Sequence, residues 1–336
     1  MDVKIVQITY QLFPYLWQNH EGIILSEQVN QVFSLTGKEC VMKRSSMKKK
    51  KGLENVLFTI PAVILVCMVM NIPFVMSGYY SLTRWNGIAK QPVFIGLENF
   101  KTILSGSDSF LSAMWFTIRY TFFFVIVSNV AALALAVALT KRFRLANLYR
   151  GLFFIPYIMS MTIVGFIWKF IFTSGFKKFF ELTGWGFWNL SWLGNPSMAF
   201  WSVTIVGIWQ SLGFYIVLYI AGLQAVPKDI IEAAYVDGAS RRQTFFKVTV
   251  PLLGPSMTTC VFMSLTNGLK VFDIILALTK GGPGQSTYSA TLSIYNEAFT
   301  RNNYGLGSAQ AILYFVFVLV ITQLTLKMMS RKEVAL

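Results

Sequence analysis

Apolar residues in this chain come in long runs rather than in short periodic stripes. Six stretches, 56–82, 112–139, 152–172, 200–222, 252–278 and 306–326, are each long enough to cross a bilayer, which takes about 20 residues as a helix. A backbone facing lipid must satisfy its own hydrogen bonds, so every run is predicted to be helical. The predicted fold class is therefore all-α, a polytopic membrane protein with six transmembrane helices. Pro61, Pro73 and Pro156 fall inside runs and are predicted to kink them, since proline removes an amide donor from the ladder.

The segments expected on the inner side are short, with one exception. The connection after the fourth run, about 30 residues from Gln224 to Ser256, has structure of its own. Pro227 suits a helix start, and Ile230, Ile231, Ala234 and Tyr235 recur at helical spacing. Gly238 is placed to end that helix. Ser240 with Gln243 three residues on is a capping-box spacing. It opens a second helix carrying Phe245, Phe246 and Val248, and Pro251 closes the segment. Two short helices exposing Ile, Tyr and Phe either meet a protein partner or lie on the bilayer surface.

Composition agrees with the runs. Hydrophobic residues make up 55% and charged residues 13%, against about 25% charged in soluble domains. The net charge of +15 is spread over short clusters between the runs, which sets orientation in a membrane and argues against a nucleic-acid partner. With the N-terminus inside, Lys48 to Lys51, Lys141, Arg142, Arg144, Arg150, Lys228, Arg241, Arg242, Lys247, Lys327, Arg331 and Lys332 are internal. Fifteen basic residues against seven outside place both termini in the cytoplasm. The predicted organisation is a cytoplasmic N-terminal segment 1–52, a transmembrane domain 53–329 containing the helical loop 227–251, and a cytoplasmic tail 330–336. Residues 1–46 are either a true extension, with a short amphipathic stretch at 10–17, or precede a start at Met42 or Met47. Cys40, Cys67 and Cys260 have no metal or disulfide spacing, and the single histidine is His20. Neither a metal site nor a catalytic centre is expected. No P-loop pattern occurs, so any ATP and its Mg would be bound by another subunit.

Polar side chains inside membrane spans are costly and often functional. Gln210, Ser211 and Tyr215 lie near the middle of the fourth run, with Phe214 beside them. Ser264 and Asn267 share a face of the fifth. Amides and hydroxyls with aromatic rings suit a sugar, and the same residue types also bond between helices. Lys270 and Asp273, three apart, are expected to pair on that fifth helix. Asn129 is expected to face the pathway. An ion-coupled secondary transporter is the main alternative, but it would want a midplane acid and inverted repeats, and neither is apparent.

Glu232-Ala233-Ala234, then Asp237-Gly238-Ala239, then Pro251 resembles the EAA signature of binding-protein-dependent ABC importer permeases. Val248 and Val250 stand where that family usually has isoleucine and leucine. Gly281-Gly282-Pro283 with Thr287, Tyr295, Ala298-Phe299, Gly305 and Ala309 looks like the outer loop of maltose-type carbohydrate permeases, in the branch of the first of two paired subunits. The resemblance spans about residues 53–326. It implies a bacterial cell-membrane permease subunit of an ATP-driven sugar importer. Its implied partners are a second homologous permease, an ATPase dimer that docks on Glu232 and its neighbours, and an extracellular solute-binding protein. It also implies sugar contacts on the two runs that flank the loop.

Overall fold

A computed structural model describes residues 57–106, 109–140 and 145–333, with side chains to residue 329. The expectations for residues 1–52, for Lys48 to Lys51, Lys141, Arg142 and Arg144, and for the tail side chains lie outside the described residues. The chain divides at Pro73 into two units.

In the first unit, residues 57–73 belong to helix α1 (Leu57–Ser81) and every side chain is exposed. A helix apolar all round is made for lipid or for another protein surface. Pro61 leaves α1 unbroken. Before Pro73 the helix widens into a π turn, Cys67–Asn71, in which the Ile72 amide reaches the Cys67 carbonyl. The Asn71 amide also donates to Cys67 Sγ at 3.6 Å.

The second unit begins with the end of α1. A two-residue hairpin follows, β1 (Thr83–Arg84) antiparallel to β2 (Val93–Phe94) with Thr83 opposite Phe94. The helices are then α2 (Glu98–Leu104), α3 (Phe110–Thr140), α4 (Ala146–Ile158) and α5 (Met161–Thr183, with a π turn at Ile171–Gly175). Next come α6 (Pro196–Ala225), α7 (Lys228–Val236), α8 (Arg241–Leu252) and α9 (Gly254–Leu269). The last three are α10 (Asp273–Leu278), α11 (Ala290–Tyr295, continued by a π turn Asn296–Thr300) and α12 (Tyr304–Glu333).

The most deeply buried span is α6. Asn195 caps its first turn, accepting from the Ser197 and Met198 amides at 2.9 and 3.4 Å, with Pro196 at the first helical position. It lies along α3 and also against α4 and α9. At Gly213 a methyl group would overlap the Phe153 carbonyl of α4. The two backbones touch there, as small residues permit between membrane helices. Arg150 ties α4 to the end of α3 by donating to the Leu139 carbonyl at 2.9 Å, and Arg119 lies 4.7 Å over the Phe200 ring.

Two runs differ from single spans. The run 152–172 is two helices, α4 and α5, meeting at 97°. Pro156 gives up a bond in the last turn of α4, and Met159 and Ser160 are extended. The run 252–278 ends as a helix at Leu269. After a break at 270–272, α10 starts afresh and packs against α5. Lys270 and Asp273 therefore sit on either side of a break, and they form no ion pair with each other among the described residues.

Candidate functional site

Two regions bear on function, and the first is the loop 227–251. Pro227 occupies the N-cap of α7, one position before the first turn expected for it, and Asp229 lies in that first turn. A negative side chain there offsets the partial positive charge of the helix end. The exit is set by Gly238 at φ +82°. The Gly238 amide donates to Tyr235 O and the Ala239 amide to Ala234 O, both at 3.0 Å. This pair of bonds uses up the last carbonyls and needs a left-handed residue at Gly238.

Ser240 follows at once. It accepts from the Gln243 amide at 3.4 Å, and Gln243 Oε1 accepts from the Ser240 amide at 2.8 Å, the reciprocal capping box. A π turn at Phe245–Thr249 precedes Pro251, and α8 then bends by 68° into α9. Glu232, Ala233, Asp237 and Gly238 are exposed, while Ala234, Ala239 and Pro251 are half-buried. Ile230, Tyr235, Val236 and Phe246 are also exposed. Glu232 and Asp237 enter none of the ion pairs among the described residues.

The second region is a cleft of about 270 Å³ where the two broken spans meet. The break after α4 contributes Tyr157 and Met161, and the break after α9 contributes Lys270, Phe272 and Asp273. Tyr120 of α3, Gln210 and Ser211 of α6, and Asn267 of α9 complete the polar wall. Discontinuous helices around a polar site are a recurrent solution in transporters, because irregular backbone is tolerated where it lines a cavity. Gln210 serves the break directly, its amide 3.4 Å from both the Tyr157 and Met159 carbonyls. Those carbonyls would otherwise be orphaned at the helix end.

The sequence-predicted residues separate into two sets. Gln210, Ser211 and Asn267 line the cleft. Phe214 stands behind it, stacked on Tyr157 with centroids 4.8 Å apart. Tyr215 is fully buried and accepts from Asn267 Nδ2 at 3.2 Å, so it orients that amide. Ser264 is also fully buried, inside a hub linking α3, α6 and α9. In that hub Asn129 Nδ2 donates to Ser264 Oγ and to Val125 O, each at 2.8 Å, and Tyr219 OH donates to Asn129 Oδ1 at 2.8 Å. Asn129 thus packs between helices rather than facing the pathway, with both amide protons and its carbonyl oxygen engaged by these three partners.

The sequence reading missed Tyr120, Tyr157, Lys270 and Asp273 as cleft residues. A signal existed for Lys270 and Asp273, two charges at the end of an apolar run. For the tyrosines there was none, since α3 and α4 carry many aromatics.

Apolar spans, two of them interrupted around a polar cleft and one pair joined by an exposed helical hairpin, define a polytopic membrane transport protein. Residues 128–332 match the family described as binding-protein-dependent transport system inner membrane component, and the chain belongs to it. It is 38% identical over 285 residues to the probable starch degradation products transport system permease protein AmyD of Thermoanaerobacterium thermosulfurigenes, covering 85% of this chain and 97% of that one. It is 35% identical to the multiple sugar-binding transport system permease protein MsmF of Streptococcus mutans, over 82% and 95% of the two chains. The trehalose/maltose transport system permease protein MalF of Thermococcus litoralis is 32% identical over 84% and 96%. The fold is shared with a bacterial alginate ABC transporter solved in complex with an alginate pentasaccharide-bound periplasmic protein. There the TM-score is 0.73 at 20% identity, over 84% of this chain and 96% of that one.

Proposed function

We propose that this permease carries an oligosaccharide, with Gln210, Ser211 and Asn267 as sugar contacts in the cleft and the loop 227–251 as the seat of an ATPase. The observation that carries the reading is an adjacency in the chain. The loop joins α6 to the helix leading into α9, and those same two spans bring Gln210 and Asn267 to the cleft. Three curated relatives above 30% identity are named for sugar or starch-product transport, which supports the substrate class.

The working unit in this reading is this chain with a second permease, two ATPase subunits that bind ATP and Mg, and an extracellular solute-binding protein. ATP-driven closure of the ATPases pushes α7, and α6 and α9 tilt together, opening the cleft alternately to each side. Glu232 and Asp237, exposed and outside the ion pairs among the described residues, are charges available to a basic partner surface. Both termini and the loop lie on the cytoplasmic side.

Reconstituted vesicles test this. Uptake of labelled sugar is expected to need ATP and the binding protein, and to fall in Glu232→Ala with membrane insertion unchanged. Uptake driven by an ion gradient with this chain alone would overturn the reading.

A further inference from the structure

The cleft is small for what is proposed to pass through it. At about 270 Å³ it falls just below the usual range of ligand pockets, so this chain's own wall encloses only part of a long saccharide. The remaining units of an oligosaccharide must rest elsewhere.

One wall residue of the cleft, Phe272, begins a continuous row of rings. Its centroid is 5.3 Å from Tyr295, which is 5.4 Å from Phe299. Phe299 is 5.7 Å from Tyr304, Tyr304 is 5.6 Å from Trp85, and Trp85 stacks on Tyr80 at 4.5 Å. Tyr295 and Phe299 are 41% and 60% exposed, and the other four are half-buried.

The row is held in place. The Glu297 carboxylate, buried beneath α11, binds Arg301 at 2.8 Å and Asn303 at 3.1 Å, which fixes the turn that presents Phe299. Tyr304 closes over Gly87, where a side chain would collide with its ring. The six rings meet mostly tilted or edge-on, and the two next to the cleft residue Phe272, Tyr295 and Phe299, are exposed, so that they offer ring surface on which flat C–H faces stack. Tyr and Trp add polar edges for the hydroxyls.

We infer that this row is an oligosaccharide track that binds the sugar units lying outside the cleft, so that it sets chain-length preference. This rests on the sugar reading above. An interfacial aromatic belt is the competing account of the same rings, and it predicts no dependence on substrate length.

The test uses the complete transporter in vesicles with its binding protein. The probes are labelled glucosyl, galactosyl, xylosyl and fructosyl saccharides of one to five units. Phe299→Leu and Tyr295→Leu keep apolar bulk and remove the ring. Uptake of saccharides of three or more units is expected to fall about tenfold, with mono- and disaccharides within about twofold, and Phe299→Trp to restore it. Losses equal at all lengths, no loss at any length, or a wild type carrying only mono- and disaccharides would overturn the track and leave the sugar reading standing. A wild type that carries none of the probes would overturn the sugar reading and the track with it.

Discussion

At the scale of single residues, the polar side chains of the spans divide by what they already bond. Asn129, Tyr219 and Ser264 bond one another in a buried interface. Tyr219→Phe removes one donor and leaves Asn129 Oδ1 buried without it. That costs about 1 kcal/mol and is expected to lower the melting temperature in detergent by about 2–4 °C, with uptake retained. Gln210 and Asn267 are different, since each bonds a neighbour and also faces the cleft. Gln210→Ala and Asn267→Ala are expected to cut uptake about tenfold or more while the folded protein is recovered in normal yield; each removes a contact of about 1–2 kcal/mol to sugar. Equal uptake in both variants would remove the cleft as the sugar site. The hub was beyond reading from the sequence, because its partners lie 90 and 135 residues apart and an isolated Asn in a span looks the same whether it faces water or another helix.

At the scale of elements, the loop was legible almost to the residue and the breaks were not. Pro227, Gly238, Ser240 and Gln243 act on backbone groups within a few positions of themselves, so their spacing predicts the geometry. Gly238→Ala forces a left-handed backbone on a residue with a Cβ, at about 1 kcal/mol. The variant is expected to insert normally and to couple poorly, seen as ATPase activity no longer stimulated by the loaded binding protein. The breaks at 159–160 and 270–272 were only marked, by Pro156 and by Lys270 with Asp273, and not located, because Met159, Val271 and Phe272 continue the apolar runs. Only the packing of α10 on α5 tells the two segments apart. Gly213→Val drives a side chain into the α4 backbone, and folded yield is expected to drop sharply by size-exclusion chromatography, since overpacking of this kind costs about 1–3 kcal/mol.

At the scale of the whole molecule, the described residues hold four unbroken apolar helices and two bent pairs, up to six spans, in line with the number of apolar runs. The orientation proposed above rests on basic residues that fall on the two sides in unequal number. In a variant with Cys40, Cys67 and Cys260 replaced, a cysteine at Gly284 is expected to react with a membrane-impermeant maleimide from outside intact cells. One at Ala239 is expected to react only after permeabilisation. The reverse pattern would invert the molecule.

The unbroken length of α6 has a mechanical consequence. At 1.5 Å per residue its 30 residues make a strut about 45 Å long. Its first turn is closed by the Asn195 cap and tied to the preceding loop by Ser202 donating to the Trp192 carbonyl at 3.0 Å, and Gln210 stands near the midpoint. In the coupling proposed above, a tilt of this strut about its Asn195 end would bring a displacement at Ala225 to Gln210 about halved. On that proposal, the stroke is geared down before it reaches the cleft.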